Sequence, residues 1–405
     1  MIHVSQKRAA RSQVIEVFLA FLKLGLTSFG GPIAHIGFFR SELVARRGWL
    51  TESQFSQLLA ICQFIPGPAS SQLGFCIGLH RAGWLGALAA FLAFTLPSVL
   101  LLIAFATALP LLSSPIGVAV IHGLKLVACA IVADAVLGMS QKLCPDLKRK
   151  IIAILVMISL MLFSTAWASL LVILLAAVVG VIFLPNTPCT TEQSHIHIPF
   201  GRKLGGFLLL LFGILLIALP LLVSMDNAFF AVADAFYRAG ALVFGGGHVV
   251  LPLLQESTVG AGWLTQDQFL AGYGASQAIP GPMFAFSAYL GTLLFDGENP
   301  WLIATTALCF MFIPGFLLVA GCLPFWRAIS RNQSATRAIT AVNAAVVGLL
   351  GAALYHPIMT SGISNFTDLV IVVVAFSVLV KWRISPLLLV IGCVVASVVM
   401  EVVLR

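Results

Sequence analysis

Gly48-Trp-Leu-Thr-Glu-Ser-Gln-Phe55 and, shortly after, Gln63-Phe-Ile-Pro-Gly-Pro68 both occur twice in this chain. They return as Gly262-Trp-Leu-Thr-Gln-Asp-Gln-Phe269 and Gln277-Ala-Ile-Pro-Gly-Pro282, at a constant offset of 214. Over positions 48–68, 11 of 21 residues are identical between the copies. A second pair, Phe29-Gly-Gly-Pro32 and Phe244-Gly-Gly-Gly247, lies upstream at offset 215. The chain is a fused duplication, and its repeated parts are helix breakers set in apolar sequence. In a membrane protein that combination points to a transporter built from repeats with discontinuous helices.

Of the 405 residues, 60% are hydrophobic and 9% charged, and the mean hydropathy is +1.08. Soluble domains carry about 25% charged residues, so this composition excludes a water-soluble globule. Apolar runs near the roughly 20 residues needed to span a bilayer fall at 84–109, 116–140, 151–166, 168–184, 204–224, 301–324, 336–355, 366–380 and 386–403. Open backbone cannot face lipid, so these are expected to be helices. The expected fold is an all-α polytopic membrane protein of about 9–13 membrane segments. Lys7, Arg8 and Arg11 precede a long interrupted segment without a small-residue cleavage site, so no cleavable signal is expected. The net charge of +8 sits in loops, where it sets orientation, and calls for no nucleic-acid partner. None of the eight cysteines forms a C-x-x-C pair. Most lie in apolar runs and read as small hydrophobes, so neither disulfides nor metal is expected. His195 and His197 read as a solvated pair in the central loop.

The loops differ in charge between the copies. Arg40 to Arg47 is a basic loop, whereas its counterpart from Gln255 has no Lys or Arg. His80-Arg81 is basic and its counterpart, Asp296 to Glu298, is acidic. Four basic residues between Lys142 and Lys150 have no counterpart around 355–365. The bias then reverses: 111–115 is uncharged, while Arg327, Arg331 and Arg337 fill the matching loop. Basic loops stay in the cytoplasm, so the copies are expected to be inverted. The expected domains are an N-terminal repeat at 1–184, a linker and orientation-reversing helix at 185–227, and an inverted C-terminal repeat at 228–405. The N-terminus and the loops at 40–47 and 80–81 are all basic. The segments 14–39 and 50–79 are therefore expected to enter and leave on one side, as re-entrant hairpins turning at Phe29-Gly-Gly-Pro32 and Pro66-Gly-Pro68. The segments 228–254 and 265–293 would do the same from the other side. Kinked full spans are the alternative. Thr51-Glu-Ser-Gln54 and Thr265-Gln-Asp-Gln268 are capping boxes, which start a helix about 15 residues before each Pro-Gly-Pro.

Proline removes a backbone donor and glycine lets the chain turn. The residues after Pro66-Gly67-Pro68 include Ser70 and Ser71 and open a half-helix, whose N-terminus carries partial positive charge and free N–H groups. Gly30, Gly31, Gly245, Gly246 and Gly281 present further bare backbone. Lys23 lies two turns before the first Gly-Gly break, and Arg238 occupies the same place in the second copy. Charges at such depth are functional candidates, although Asp234 stands one helical turn from Arg238 as a local partner. His248 is either an anion or proton ligand or a structural histidine. Gln63 and Gln277 either donate to substrate or tie the broken backbone. Asp134 and Asp234 are the coupling candidates. His122 and Lys125 share a helix face, which Asn343 repeats in the second half.

With these motifs the chain resembles the chromate ion transporter family in its two-domain form. The resemblance rests on Phe29-Gly-Gly-Pro32, Gly48-Trp-Leu-Thr51 and Gln63-Phe-Ile-Pro-Gly-Pro68 with their second copies, and covers nearly the whole chain. It implies efflux of chromate across the bacterial inner membrane, driven by the proton-motive force, with chromate resistance as the outcome and sulfate as a related substrate. It implies no cofactor, a lipid bilayer as surroundings, and is compatible with a homodimer. The second copy departs from the first at Gly247-His248, where the first has Pro32-Ile33. The residues themselves favour a small dianion carried by alternating access between inverted repeats. A sulfate or other oxyanion transporter and a passive anion channel are the alternatives. The sequence has no H-E-x-x-H, paired intramembrane Asp or G-x-S-x-G set for a membrane enzyme.

Overall fold

The structure, a computed structural model, describes residues 2–163, 166–185, 199–225, 227–295 and 298–403. His195, His197, Cys189 and Asp296 lie outside the described residues. All regular structure among those described is helical. The first half contains α1 (Ile2–Thr27), α2 (Gly31–Phe39), α3 (Glu52–Phe64), α4 (Ala69–Ala108), α5 (Pro115–Leu143), α6 (Leu147–Leu162) and α7 (Ala166–Phe183). After α8 (Arg202–Leu222) the pattern repeats as α9 (Ala228–Ala241), α10 (Val250–Thr258), α11 (Gln266–Ala278), α12 (Phe286–Leu293) and α13 (Pro300–Cys322). It then runs through a short α14 (Trp326–Arg331), α15 (Gln333–Ala353), α16 (Thr360–Gly362), α17 (Phe366–Trp382) and α18 (Pro386–Val403). Six helical stretches among the described residues are long and apolar enough to cross a bilayer. Their exposed faces carry Leu92, Leu100, Leu210, Ile217, Leu221 and Val395, a surface suited to lipid. This is a multi-pass membrane protein.

The helices break where the repeats place Gly and Pro. Thr51 and Thr265 each accept from the backbone of Gln54 and Gln268, whose side chains return the bond. Both capped helices stop before Pro-Gly-Pro, after 13 residues. That is about 20 Å of helix, short of the roughly 30 Å hydrocarbon core. The long α4 is itself bent at Ala82–Gly83. Its two limbs fold back so tightly that a Cβ on Gly78 would stand 2.4 Å from the Gly86 carbonyl oxygen.

Ion pairs show where the broken segments begin and end. Glu16, midway along α1, contacts both Arg47, beyond α2, and Arg81, at the close of the first limb of α4. Trp49 Nε1 donates to the same Glu16 at 3.2 Å. The stretches 14–47 and 50–81 therefore both start and finish at one end of the molecule. In the second half Ala231, Ala261 and Trp263 line one cavity, and Trp263 meets the Phe295 ring at 5.1 Å. Those hairpin ends also converge, but elsewhere. α13 leaves from beside them and runs about 34 Å to Gly321, which packs on Gly205 at the start of α8. Just before α8, Phe200 stacks on Trp84 at 5.2 Å, beside the first half's hairpin ends. Conversely, Phe105 near the far end of α4 stacks on Tyr289, whose hydroxyl donates to the Gln268 carbonyl in the first turn of α11. The two sets of hairpin ends thus lie at opposite ends of α13 and of the limb of α4 that follows its bend.

Two segments differ from the sequence expectation. Arg40–Arg46 is not a loop: it continues α2 as a π-helical turn. Arg327 and Arg331 lie in α14, and Arg337 on α15, rather than in an open loop. Between Phe39 and Arg40 no Gly or Pro intervenes, so nothing local ends the helix there; in the second half Pro324 turns the chain after α13, and Asn332 caps α15 directly after α14. The first helix of each half docks on its own half's long helix through glycine. A Cβ on Gly25 would stand 2.6 Å from Phe94 O, and one on Gly240 2.3 Å from Met311 O. Small residues permit such close backbone approach where lipid provides no hydrophobic drive between helices.

Candidate functional site

Each Pro-Gly-Pro turn is held by the other half of the molecule. The Gly67 N–H donates to the Val243 carbonyl at 2.7 Å, and the Gly281 N–H donates to the Ser28 carbonyl at 3.0 Å. Gly67 corresponds to Gly281 and Ser28 to Val243, so the two bonds are one bond with the roles exchanged. The same reciprocity extends to the long helices. Ser98 Oγ, beside Pro97 of α4, donates to the Pro280 carbonyl at 2.7 Å. Gly315, beside Pro314 of α13, lies against Gly67, with 3.0 Å between its Cα and a Cβ built there. At the centre the corresponding residues Pro32 and Gly247 meet each other. All four helix breaks are thereby brought together across the junction of the halves.

The junction is chemically one-sided. Within the junction, the first half contributes Ser28, His35, Ser70, Ser71, Gln72 and Thr95, all buried. The corresponding residues of the second half are Val243, Val250, Phe284, Ala285, Phe286 and Phe312, every one apolar. His35 Nδ1 lies 3.4 Å from Ser70 Oγ, and its ring stands edge-on to Phe94. Ser28 Oγ, His35 Nε2, Ser71 Oγ, Gln72 Oε1 and Thr95 Oγ1 are buried polar atoms without a protein partner. Such atoms are costly in a membrane interior unless they serve a ligand or water. Ser71 and Gln72 stand in the first turn of α4 and His35 against Ser70 beside them, and the N-cap Pro68 brings no side-chain cap to the first-turn N–H groups. The arrangement can receive a small anion: partial positive charge from the half-helix, hydroxyl donors from two adjacent serines, and an imidazole nitrogen.

Sequence reasoning found Ser70 and Ser71 but missed His35, Gln72 and Thr95. Gln72 Nε2 donates to both Pro66 O and Gly315 O at 2.9 Å, which is the backbone-tying role considered for Gln63. Gln63 itself is exposed. Gln277 is half-buried and donates to Ser276 Oγ. Gly30 and Gly245 are exposed at the breaks, with Gly31 and Gly246 beside them. Asn343 Oδ1, another unpartnered atom, faces Gly245. His248 Nδ1 pairs with the Tyr273 hydroxyl at 2.7 Å. Asp134 is half-buried midway along α5.

The two equivalent cations are neutralised locally. Lys23 pairs with Glu42 at 3.2 Å, and Arg238 with Asp234. Glu42 also binds Arg46 and Arg47. Burial pushes the Glu42 carboxyl up, but hydrogen bonds from Arg47 and Lys23 and the charge of Arg46 outweigh it, holding it below the usual carboxylate range. Arg238, Asp234, Glu256 and Ser169 line a cavity of about 430 Å³ that opens beside Trp263.

The family described as chromate transporter matches residues 15–181 and 230–398, one copy on each half. The chain belongs to the chromate transporter family. A probable chromate transport protein of Synechococcus elongatus is 28% identical over 406 residues, covering 92% of each chain. The chromate transport protein of Pseudomonas aeruginosa is 27% identical, over 83% of this chain and 79% of that one. An uncharacterized transporter of Methanocaldococcus jannaschii is 27% identical, over 93% and 87%. No solved structure matches. The chromate transporter match begins and ends each copy around the same set of breaks and long helices, so the cross-paired junction lies wholly within the family's repeat.

Proposed function

We propose that this protein is a secondary active transporter of a small tetrahedral oxyanion, chromate or its isostere sulfate. The observation that carries the reading is the polar half-helix N-terminus after Pro68, with buried His35, Ser70, Ser71 and Gln72 at it and buried Ser28 and Thr95 elsewhere in the junction, five of the six with unpartnered polar atoms. Lys23 and Arg238 supply one cation in each half, held at rest by Glu42 and Asp234. The names of the relatives point to chromate. In this reading the halves are inverted repeats that alternate access to the junction, a reading supported by hairpin ends at opposite ends of α13 and of the second limb of α4. Arg40, Arg46, Arg47 and Arg81 gather at one of those ends, which supports a cytoplasmic location for it and for the N-terminus. Export across the bacterial inner membrane, drive by the proton-motive force and a role in chromate resistance complete the proposal.

The test is uptake of radiolabelled chromate and sulfate by proteoliposomes under an imposed pH gradient. Accumulation against the anion's own gradient is expected. Failure to accumulate either anion removes the reading, and flux indifferent to the pH gradient replaces the carrier with a channel.

A further inference from the structure

A second charged cluster away from the junction lines a cavity of about 530 Å³ between the halves. His122 and Lys125 enter from α5 of the first half, Asp267 from α11, Asn365 and Asp368 from the start of α17, and Glu401 from α18. His122 Nε2 meets Asp368 Oδ1 at 2.8 Å. The other oxygen of Asp368 accepts from the Ser364 N–H at 2.9 Å. Both oxygens of this buried carboxylate therefore accept hydrogen bonds, with His122 Nε2 as the donor to Oδ1. One turn along α5, the buried Lys125 Nζ reaches Asp267 Oδ1 at 2.7 Å. The charged groups facing His122 are thus Lys125 on its own helix, Asp267 from α11, Asp368 from α17 and Glu401 from α18.

The cluster has no counterpart in the other half. Aligning the helix caps Ser114 and Asn332 puts Thr340 opposite His122 and Asn343 opposite Lys125, and the repeat offset puts Ser53 opposite Asp267. The junction is reached directly from this cluster. Asp267 sits in the first turn of α11, and α11 ends at the Pro-Gly-Pro turn whose Gly281 N–H holds Ser28.

We propose that His122 and Asp368 form a proton-binding site, and that the adjoining Lys125–Asp267 pair transmits its occupancy along α11 to the helix breaks. A proton on His122 converts a neutral donor into a cation beside Lys125. That weakens the lysine's hold on Asp267 and frees the start of α11. Lys125, now less screened, becomes a cation facing the cavity. The site lies at the hairpin ends of the second half, which the proposed orientation places outside, so a proton enters it from the high-potential side. The inference rests on the transporter reading for its role in the cycle.

Two measurements test it. In proteoliposomes, the ratio of chromate uptake with a pH gradient to uptake without one is compared for wild type, His122→Gln and Asp368→Asn. The ratio is expected to fall to near one in both variants; a wild-type ratio in His122→Gln overturns the proposal. Without substrate, an indicator dye counts protons taken up by the purified protein in a jump from about pH 7.5 to 5.5, a window bracketing an ordinary histidine. Wild type is expected to take up about one proton more than either variant. Equal uptake by Asp368→Asn overturns the paired site, because an isolated histidine would still titrate. If wild type carries neither chromate nor sulfate, the transporter reading falls, and the dye measurement alone decides the proton site.

Discussion

A methyl group on Gly281 would stand 2.1 Å from Ser98 Oγ and 3.2 Å from the Phe94 carbonyl oxygen, on a residue whose φ is +97°. Gly31 also has positive φ, +76°, but nothing lies within 4 Å of an added Cβ. Gly31→Ala therefore suffers backbone strain alone, about 1–2 kcal/mol, whereas Gly281→Ala adds about 1–3 kcal/mol of overpacking. Thermal unfolding should rank Gly281→Ala clearly below Gly31→Ala, and equal midpoints would contradict the tight seating of the second turn. Ser71 has no steric role of this kind. Ser71→Ala should fold normally and raise the KM for oxyanion about tenfold, the effect of one lost hydrogen bond to a charged group. The opposite exchange, Ala285→Ser, should leave KM where it is, because its surroundings are Phe284, Phe286 and Phe312.

At the scale of elements, the capping boxes predict equal losses in the two halves. Thr51→Ala and Thr265→Ala should each cost about 1 kcal/mol, measured by denaturant or thermal unfolding in detergent. The turn that continues α2 carries the pH dependence. Glu42 has a depressed carboxyl pKa, so its contribution is present above the ordinary glutamate value and is lost as pH falls through the lower folded value. Glu42→Gln should thus destabilise near pH 7 by about 2 kcal/mol. The gap to wild type should close under strongly acidic conditions; a gap that persists there would assign the loss to packing. These elements also show what was legible in advance. Thr51 finds its capping partner three residues away, so the cap, the break and the helix between them could be read directly. Gln72 finds Gly315 at a separation of 243 residues, and His35 finds Ser70 at 35. Polar residues within apolar segments carry no sign of which distant surface they meet, so the polar lining of the junction emerged only from the fold. Arg40–Arg46 was misread for a related reason. Its charges mark the membrane boundary, and a boundary need not end a helix.

For the whole molecule, the prediction concerns sidedness. Arg81 and Glu298 close the second hairpins of the two halves, at opposite ends of α13 and of the second limb of α4. In a cysteine-free background, Arg81→Cys should react with an impermeant maleimide only in inverted vesicles and Glu298→Cys only in right-side-out ones. Labelling of both from one side would refute the inverted arrangement.

The reciprocal bonds from Gly67 to Val243 and from Gly281 to Ser28 are made entirely by main chain. Side chains around them can diverge without loosening the join, as Ser28 and Val243 already have. The bonds from Ser98 to Pro280 and from Gln72 to Gly315 reinforce the same join with side chains. The duplication has therefore given this protein a doubled clasp: each half's turn is fastened by the other half's backbone, so divergence of side chains on one side leaves a matching main-chain tie on the other.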